Sequence, residues 1–207
     1  MHIVDGALSN AVVLGGGVLA VGGLALGLRS LTLEKIPVAG VLSATFFVAA
    51  LVHVPLGPSS VHLIMNGLAG LVLGWAAFPA LFVGLLLQAV FFGFGGLTVL
   101  GVNTVNIALP AVLVWLLCRR GVASADTRVA VLTGFVGGAL AIVLTAVQVA
   151  LVLWLSGDEF LPAAKLVVLA HVPVAVIEGL VCAAAVTLIH RVKPELFGTL
   201  AAPARAA

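Results

Sequence analysis

Residues 129–156 read VAVLTGFVGGALAIVLTAVQVALVLWLS, a run without a single Asp, Glu, Lys or Arg. A helix needs about 20 apolar residues to cross the hydrocarbon core of a bilayer, and this run exceeds that. It decides the fold class because similar runs recur along the chain. Of 207 residues, 63% are hydrophobic and 8% charged, whereas about a quarter of a soluble domain is charged. A transmembrane β-barrel would show alternating segments of about 10 residues, a pattern these continuous runs lack. The composition therefore predicts an all-α, polytopic membrane protein, a single integral domain over residues 1–207.

Outward from that run, seven spans are expected, near 8–28, 36–54, 60–74, 78–93, 103–118, 129–156 and 166–190. Pro37 suits a helix start. HVPLGPSS, residues 53–60, reads as a loop, and GFGGLTVLGVNT carries too much glycine for an ordinary helix, so a broken segment is expected near 93–102. The basic residues fall on alternate loops: Arg29 and Lys35, then Arg119, Arg120 and Arg128, then Arg191, Lys193 and Arg205. Only Lys165 lies on the other side, beside Asp158 and Glu159. The positive-inside bias then places the amino terminus outside and the carboxyl terminus in the cytoplasm, in the inner (plasma) membrane. No basic region precedes the first apolar run, as a signal peptide would require.

Several function classes fall away. There is no basic stripe or recognition motif for nucleic acid. No Walker motif is present, so an ATP-driven role requires a partner chain. No HExxH or related constellation supports an intramembrane metalloprotease, and no enzymatic chemistry is expected. Cys118 and Cys182 lack metal-type spacing and read as small packing residues.

Polar groups within a bilayer are costly and mark candidate sites. Here they include His53, His62, Asn66, Gln88, Asn103, Asn106, His171 and Glu178. The amino terminus, MHIVDG, adds His2 and Asp5. A free α-amine on Met1, the amide nitrogen of His2 and its imidazole can close fused chelate rings on one metal ion. A second histidine would complete a planar four-nitrogen set, the geometry of Ni(II) or Cu(II) and open to Co(II). The α-amine has an unperturbed pKa near 8, so a metal can displace its proton at neutral pH. By itself a histidine at position 2 is more often an exposed residue than a ligand.

His62, expected at the outer start of the third span, is the leading second ligand. For it an interfacial structural role weighs about evenly. His53 is also outside, but a loop-edge histidine bonding a backbone carbonyl is the plainer reading. Asn66, four residues after His62, would share its helix face and orient its imidazole. Gln88, Asn103 and Asn106 flank the glycine-rich segment and suit support of its backbone. His171 and Glu178, seven residues apart, share a face of the last span, with Pro173 between them expected to loosen the helix. They suit a proton relay, a buried pair or a partner contact, which the sequence does not separate.

MHIVDG at the amino terminus, the block HVPLGPSSVHLIMNGLAGLVLGWAAFPALFVGLLLQAVFFGFGGLTVLGVNTVN, and HVPVAVIEGL near the end together resemble the CbiM/NikM family. These are the substrate-capturing membrane components of energy-coupling-factor (ECF) transporters for cobalt and nickel. The match spans nearly the whole chain, and the middle block resembles the α-proteobacterial cobalt branch most closely. The resemblance implies metal ligation by Met1 through its amine, His2 through amide and imidazole, and His62 through its imidazole. It also implies seven helices, Co(II) or Ni(II) as the transported ion, supply of cobalamin synthesis in the cobalt case, and partners. Those partners are a transmembrane coupling subunit, cytoplasmic ATPase subunits and a small accessory membrane subunit. The family often has Glu where this chain has Asp5, and some members carry a polar residue where this chain has Phe94.

The competing class is an ion-coupled secondary transporter using Glu178 and His171. Such carriers pair broken helices in two related halves, and the interruption near 93–102 has no counterpart in the second half.

Overall fold

The computed structural model describes residues 2–51 and 53–198. Seven α-helices occur among them: α1 (Asn10–Ser30), α2 (Ile36–Ala49), α3 (Asn66–Leu73), α4 (Ala77–Phe92), α5 (Leu100–Val122), α6 (Thr127–Trp154) and α7 (Leu161–Val192). Two short strands, β1 (His53–Leu56) and β2 (Ser59–His62), form an antiparallel hairpin between α2 and α3.

Large apolar side chains point outward along the helices: Leu14 and Val18 on α1, Leu132 on α6 and Leu169 on α7 are all more than 60% exposed. Their polar counterparts His2, His62, Asn66, Gln88, His171 and Glu178 are buried. A soluble protein rarely exposes so much contiguous apolar surface; in lipid this is the favourable arrangement. Five segments are long and apolar enough to cross a membrane: Asn10–Ser30, Asn66–Phe92, Leu100–Val122, Thr127–Trp154 and Asp158–Val192. The count differs from the expected seven for two reasons. The α2 helix has only 14 residues, and α3 and α4 run on through a 3-10 turn at Gly74–Ala76 as one apolar stretch.

Within that stretch the backbone turns sharply. Gly74 takes φ 60° and ψ −127° and lies against the Trp115 ring of α5. The two outer ends of the α3–α4 pair nonetheless come to one place: His62 lies just before α3, Gln88 lies near the end of α4, and both contact His2.

Local chemistry explains the boundaries. Gly93 ends α4 in the left-handed region, where the missing Cβ avoids a clash. Asp126 caps α6 by accepting from the Arg128 amide at 2.8 Å. Pro110 and Pro173 lie inside α5 and α7, and α7 continues through Pro173. Small residues let helices approach closely. A Cβ on Gly67 would lie 2.8 Å from Gly138 Cα, and one on Gly138 would lie 2.7 Å from the Glu178 carbonyl oxygen. The α3, α6 and α7 helices thus meet at the level of Glu178.

Two sequence expectations change here. The second span stops at Ala49 rather than 54, and the third begins at Asn66 rather than 60. HVPLGPSS and the residues after it form the hairpin, with His53 opposite His62 across the strands. The broken segment is present: residues 93–99 are non-helical, with positive φ at Gly93, Gly95 and Gly96.

Candidate metal centre

The amino-terminal segment runs between the hairpin and the glycine-rich segment and is tied to both. The Val4 amide donates to the Pro58 carbonyl at 3.2 Å, and the Asp5 amide donates to the Gly95 carbonyl at 2.9 Å. Asn103 grips Ile3 as a neighbouring strand would: its Oδ1 accepts from the Ile3 amide and its Nδ2 donates to the Ile3 carbonyl, both at 3.0 Å. The Ile3 side chain is fully buried. Asp5 accepts from the Thr98 hydroxyl at 2.5 Å and the Val99 amide at 3.3 Å. Its carboxylate therefore sits at the amino end of α5, where the helix dipole favours negative charge. Chain termini are usually the loosest part of a fold, whereas this one is tied into the core.

That anchoring places His2 inside the protein. Its ring stacks on His62 with centroids 4.8 Å apart and planes 22° apart. The His2 Nε2 makes a 2.7 Å hydrogen bond with Gln88 Oε1, and Gln88 Nε2 donates to the Phe47 carbonyl at 3.2 Å. His62 Nδ1 donates to the Leu63 carbonyl at 2.8 Å, so the proton of the neutral ring lies on Nδ1. Burial lowers the pKa of His2 to about 3 and holds that of His62 well below its ordinary value. Both rings are therefore neutral at pH 7, the form that ligates metal. A cavity of about 130 Å³, bordered by His2, His53, Ser59 and Phe94, adjoins His2.

The expected site residues separate into groups. His2 and His62 come together; Met1 lies outside the described residues. Gln88 and Asn103 do not hold the glycine-rich backbone as expected: Gln88 bonds His2 and the Phe47 carbonyl, and Asn103 bonds Ile3. His53 stands on β1 with its ring edge-on to Phe94 at 4.4 Å, and its Nδ1 lies 3.4 Å from the Leu51 carbonyl, close to the plainer reading. Asn66 does not orient His62. Because His62 is on a strand, the shared helix face does not exist, and Asn66 Nδ2 instead donates to the Ile107 carbonyl and Thr145 Oγ1. Asn106 does not support the glycine-rich segment either; its Nδ2 is buried without a hydrogen-bond partner.

Glu178 of α7 reaches the backbone that follows His62. Its carboxylate accepts from the Ile64 amide and, at 2.8 and 3.1 Å, from the Met65 amide. Met65 is the one non-glycine residue with positive φ among those described, so Glu178 secures a strained turn between β2 and α3. His171 Nδ1 donates to the Val167 carbonyl of its own helix at 2.6 Å. Ile3, Thr98 and the Phe47 carbonyl escaped sequence reasoning. Only the acidic residue at position 5 gave any signal, through its place in MHIVDG.

Among the described residues no group of three His, Cys, Asp or Glu side chains is arranged to hold a metal. The family model for the cobalt uptake substrate-specific transmembrane region, CbiM, matches residues 2–196. The chain belongs to the CbiM family. A relative in Haemophilus influenzae, provisionally named a metal transport protein, is 41% identical over 95% of this chain and 96% of its own length. The fused nickel transport protein NikMN of Rhodobacter capsulatus is 37% identical over 51% of this chain and 32% of its own length. The cobalt transport protein CbiM of Geobacter sulfurreducens is 30% identical over 97% of this chain and 62% of its own length. A crystal structure of a transition metal transporter superposes with a TM-score of 0.74 at 25% identity, covering 93% of each chain. A truncated transition metal transporter superposes at 0.69 and 27% identity, over 92% of this chain and 97% of the other. The chain is thus a membrane component of the cobalt and nickel transport family.

Proposed function

We propose that this CbiM-family chain is the metal-capture component of an ECF-type importer in the inner membrane. It takes Co(II), with Ni(II) as the alternative cargo, at an outward-facing site. The ligands are the Met1 α-amine, the His2 amide nitrogen and imidazole, and the His62 imidazole. The buried, stacked His2–His62 pair on an anchored amino-terminal segment carries this reading. Two neutral imidazoles suit a borderline divalent transition metal better than Mg(II) or Ca(II), which prefer oxygen donors. Displacement of protons from the amine and the amide makes capture pH-dependent, favoured as pH rises.

The topology proposed with this site has seven crossings, the amino terminus outside and the carboxyl terminus inside. It is supported by the return of the α3–α4 pair to the His2 site at both outer ends, and by the basic residues on alternate loops. A transmembrane coupling subunit, ATPase subunits and a small accessory membrane subunit complete the transporter. ATP hydrolysis by those partners drives release inward, and this chain performs no covalent chemistry. Neutral nitrogen donors favour Ni(II) over Co(II) by the Irving–Williams order, so cobalt preference would arise from geometry or supply. Isothermal titration of the purified chain with each ion tests the function: binding of either at one site supports it. Absence of binding by both, with the fold intact, would refute it. His171 and Glu178 are assigned to coupling, with Glu178 acting through the Ile64–Met65 turn.

A further inference from the structure

Gln88 is fully buried, and the orientation of its amide is dictated by α2. The Leu51 amide, which would take the Phe47 carbonyl in a continuing helix, bonds Val48 instead, so Phe47 offers one of the unclaimed carbonyls of a helix end. A carbonyl can only accept. Gln88 must therefore present its Nε2 to Phe47, at 3.2 Å, and its Oε1 to His2, at 2.7 Å. That oxygen can also only accept, so His2 Nε2 must carry the proton. In the neutral imidazole the lone pair is then on Nδ1.

This matters because the two ring nitrogens are not equivalent toward a chelate. A metal bound to the His2 amide nitrogen closes a six-membered ring through Cα, Cβ, Cγ and Nδ1. Nε2, on the far side of the imidazole, cannot close such a ring. We infer that Gln88 is a positioning residue that selects the His2 tautomer able to chelate, using the carboxyl end of α2 as its reference. The inference rests on the proposed metal site. It also ties that site to the packing of α2 against α4, because any shift of Phe47 relative to Gln88 disturbs the acceptor that His2 relies on.

The test is ¹⁵N NMR of the full-length apo protein in nanodiscs, with the His2 resonances assigned by their loss in His2→Gln, alongside Co(II) titration. Wild type should show a single His2 tautomer protonated at Nε2. Gln88→Leu should mix the tautomers and weaken Co(II) binding about ten- to a hundredfold, the usual effect of losing a partner behind a metal ligand. Gln88→Glu, which keeps an acceptor, should preserve the tautomer and bind more tightly than Gln88→Leu. A wild-type His2 protonated at Nδ1 would overturn the inference, as would unchanged affinity in a folded Gln88→Leu. Should Gln88→Leu not fold, the wild-type spectrum decides alone. An Nε2-protonated His2 in a protein that binds neither Co(II) nor Ni(II) would instead refute the proposed function, and with it the purpose assigned to the tautomer.

Discussion

His62 contributes a ring stacked on His2 and a hydrogen bond to its neighbour's carbonyl, and little of the helix packing depends on it. His62→Ala should therefore leave the protein folded and inserted while abolishing capture of Co(II) and Ni(II), measured by titration of the purified variant. Asn103 is different because it satisfies both backbone groups of buried Ile3. An unsatisfied buried polar group costs about 1–3 kcal/mol, so Asn103→Leu should release the amino-terminal segment. Hydrogen exchange at residues 3–5 should rise and metal affinity should fall together. The histidines were legible in the sequence because imidazoles in apolar surroundings stand out. The clamp on Ile3 was not legible: it joins an ordinary apolar residue to a side chain a hundred positions away, and no local pattern encodes that pairing.

Among the elements, the hairpin and α7 set the geometry. β2 carries His62, and Glu178 of α7 holds the turn that follows it. Glu178→Gln retains an acceptor oxygen for the Ile64 and Met65 amides, so equilibrium metal binding should survive largely intact. Any defect should appear in transport with partner subunits present. Glu178→Leu leaves those amides unpaired and should weaken binding roughly ten- to a hundredfold, as about 1–3 kcal/mol implies. Equal binding by the two variants would separate the turn from the site. Helices α5, α6 and α7 were readable from long apolar runs, whereas four-residue strands are too short for alternation to register. The proline and glycine of HVPLGPSS read as loop signals, although here Gly57 turns a hairpin and Pro55 sits on a two-stranded ribbon with an open edge.

For the whole molecule, the proposed seven-crossing arrangement makes a definite statement about sidedness. Cysteines introduced after Arg120 and near Glu195 should label from the cytoplasmic side, and one near Asp158–Glu159 should label from outside. Cys118 and Cys182 are buried, so the introduced thiols dominate the signal. One reversed site would remove the proposed topology. Composition revealed the membrane class and the long apolar helices. It could not reveal that α3 and α4 bend at Gly74 to bring both outer ends to His2, because that path depends on packing against Trp115.

The central claim is that an anchored amino terminus supplies metal donors. It is tested most directly by the metal content of the protein purified with its α-amine free and with that amine acetylated, each carrying a carboxyl-terminal tag. Acetylation removes one donor and adds little bulk, while the Asn103 clamp on Ile3 and the Asp5 contact with α5 are left in place. About one Co(II) or Ni(II) per chain should be found with the free amine, as expected for a single four-nitrogen site, and almost none after acetylation. Equal metal in the two preparations would contradict it.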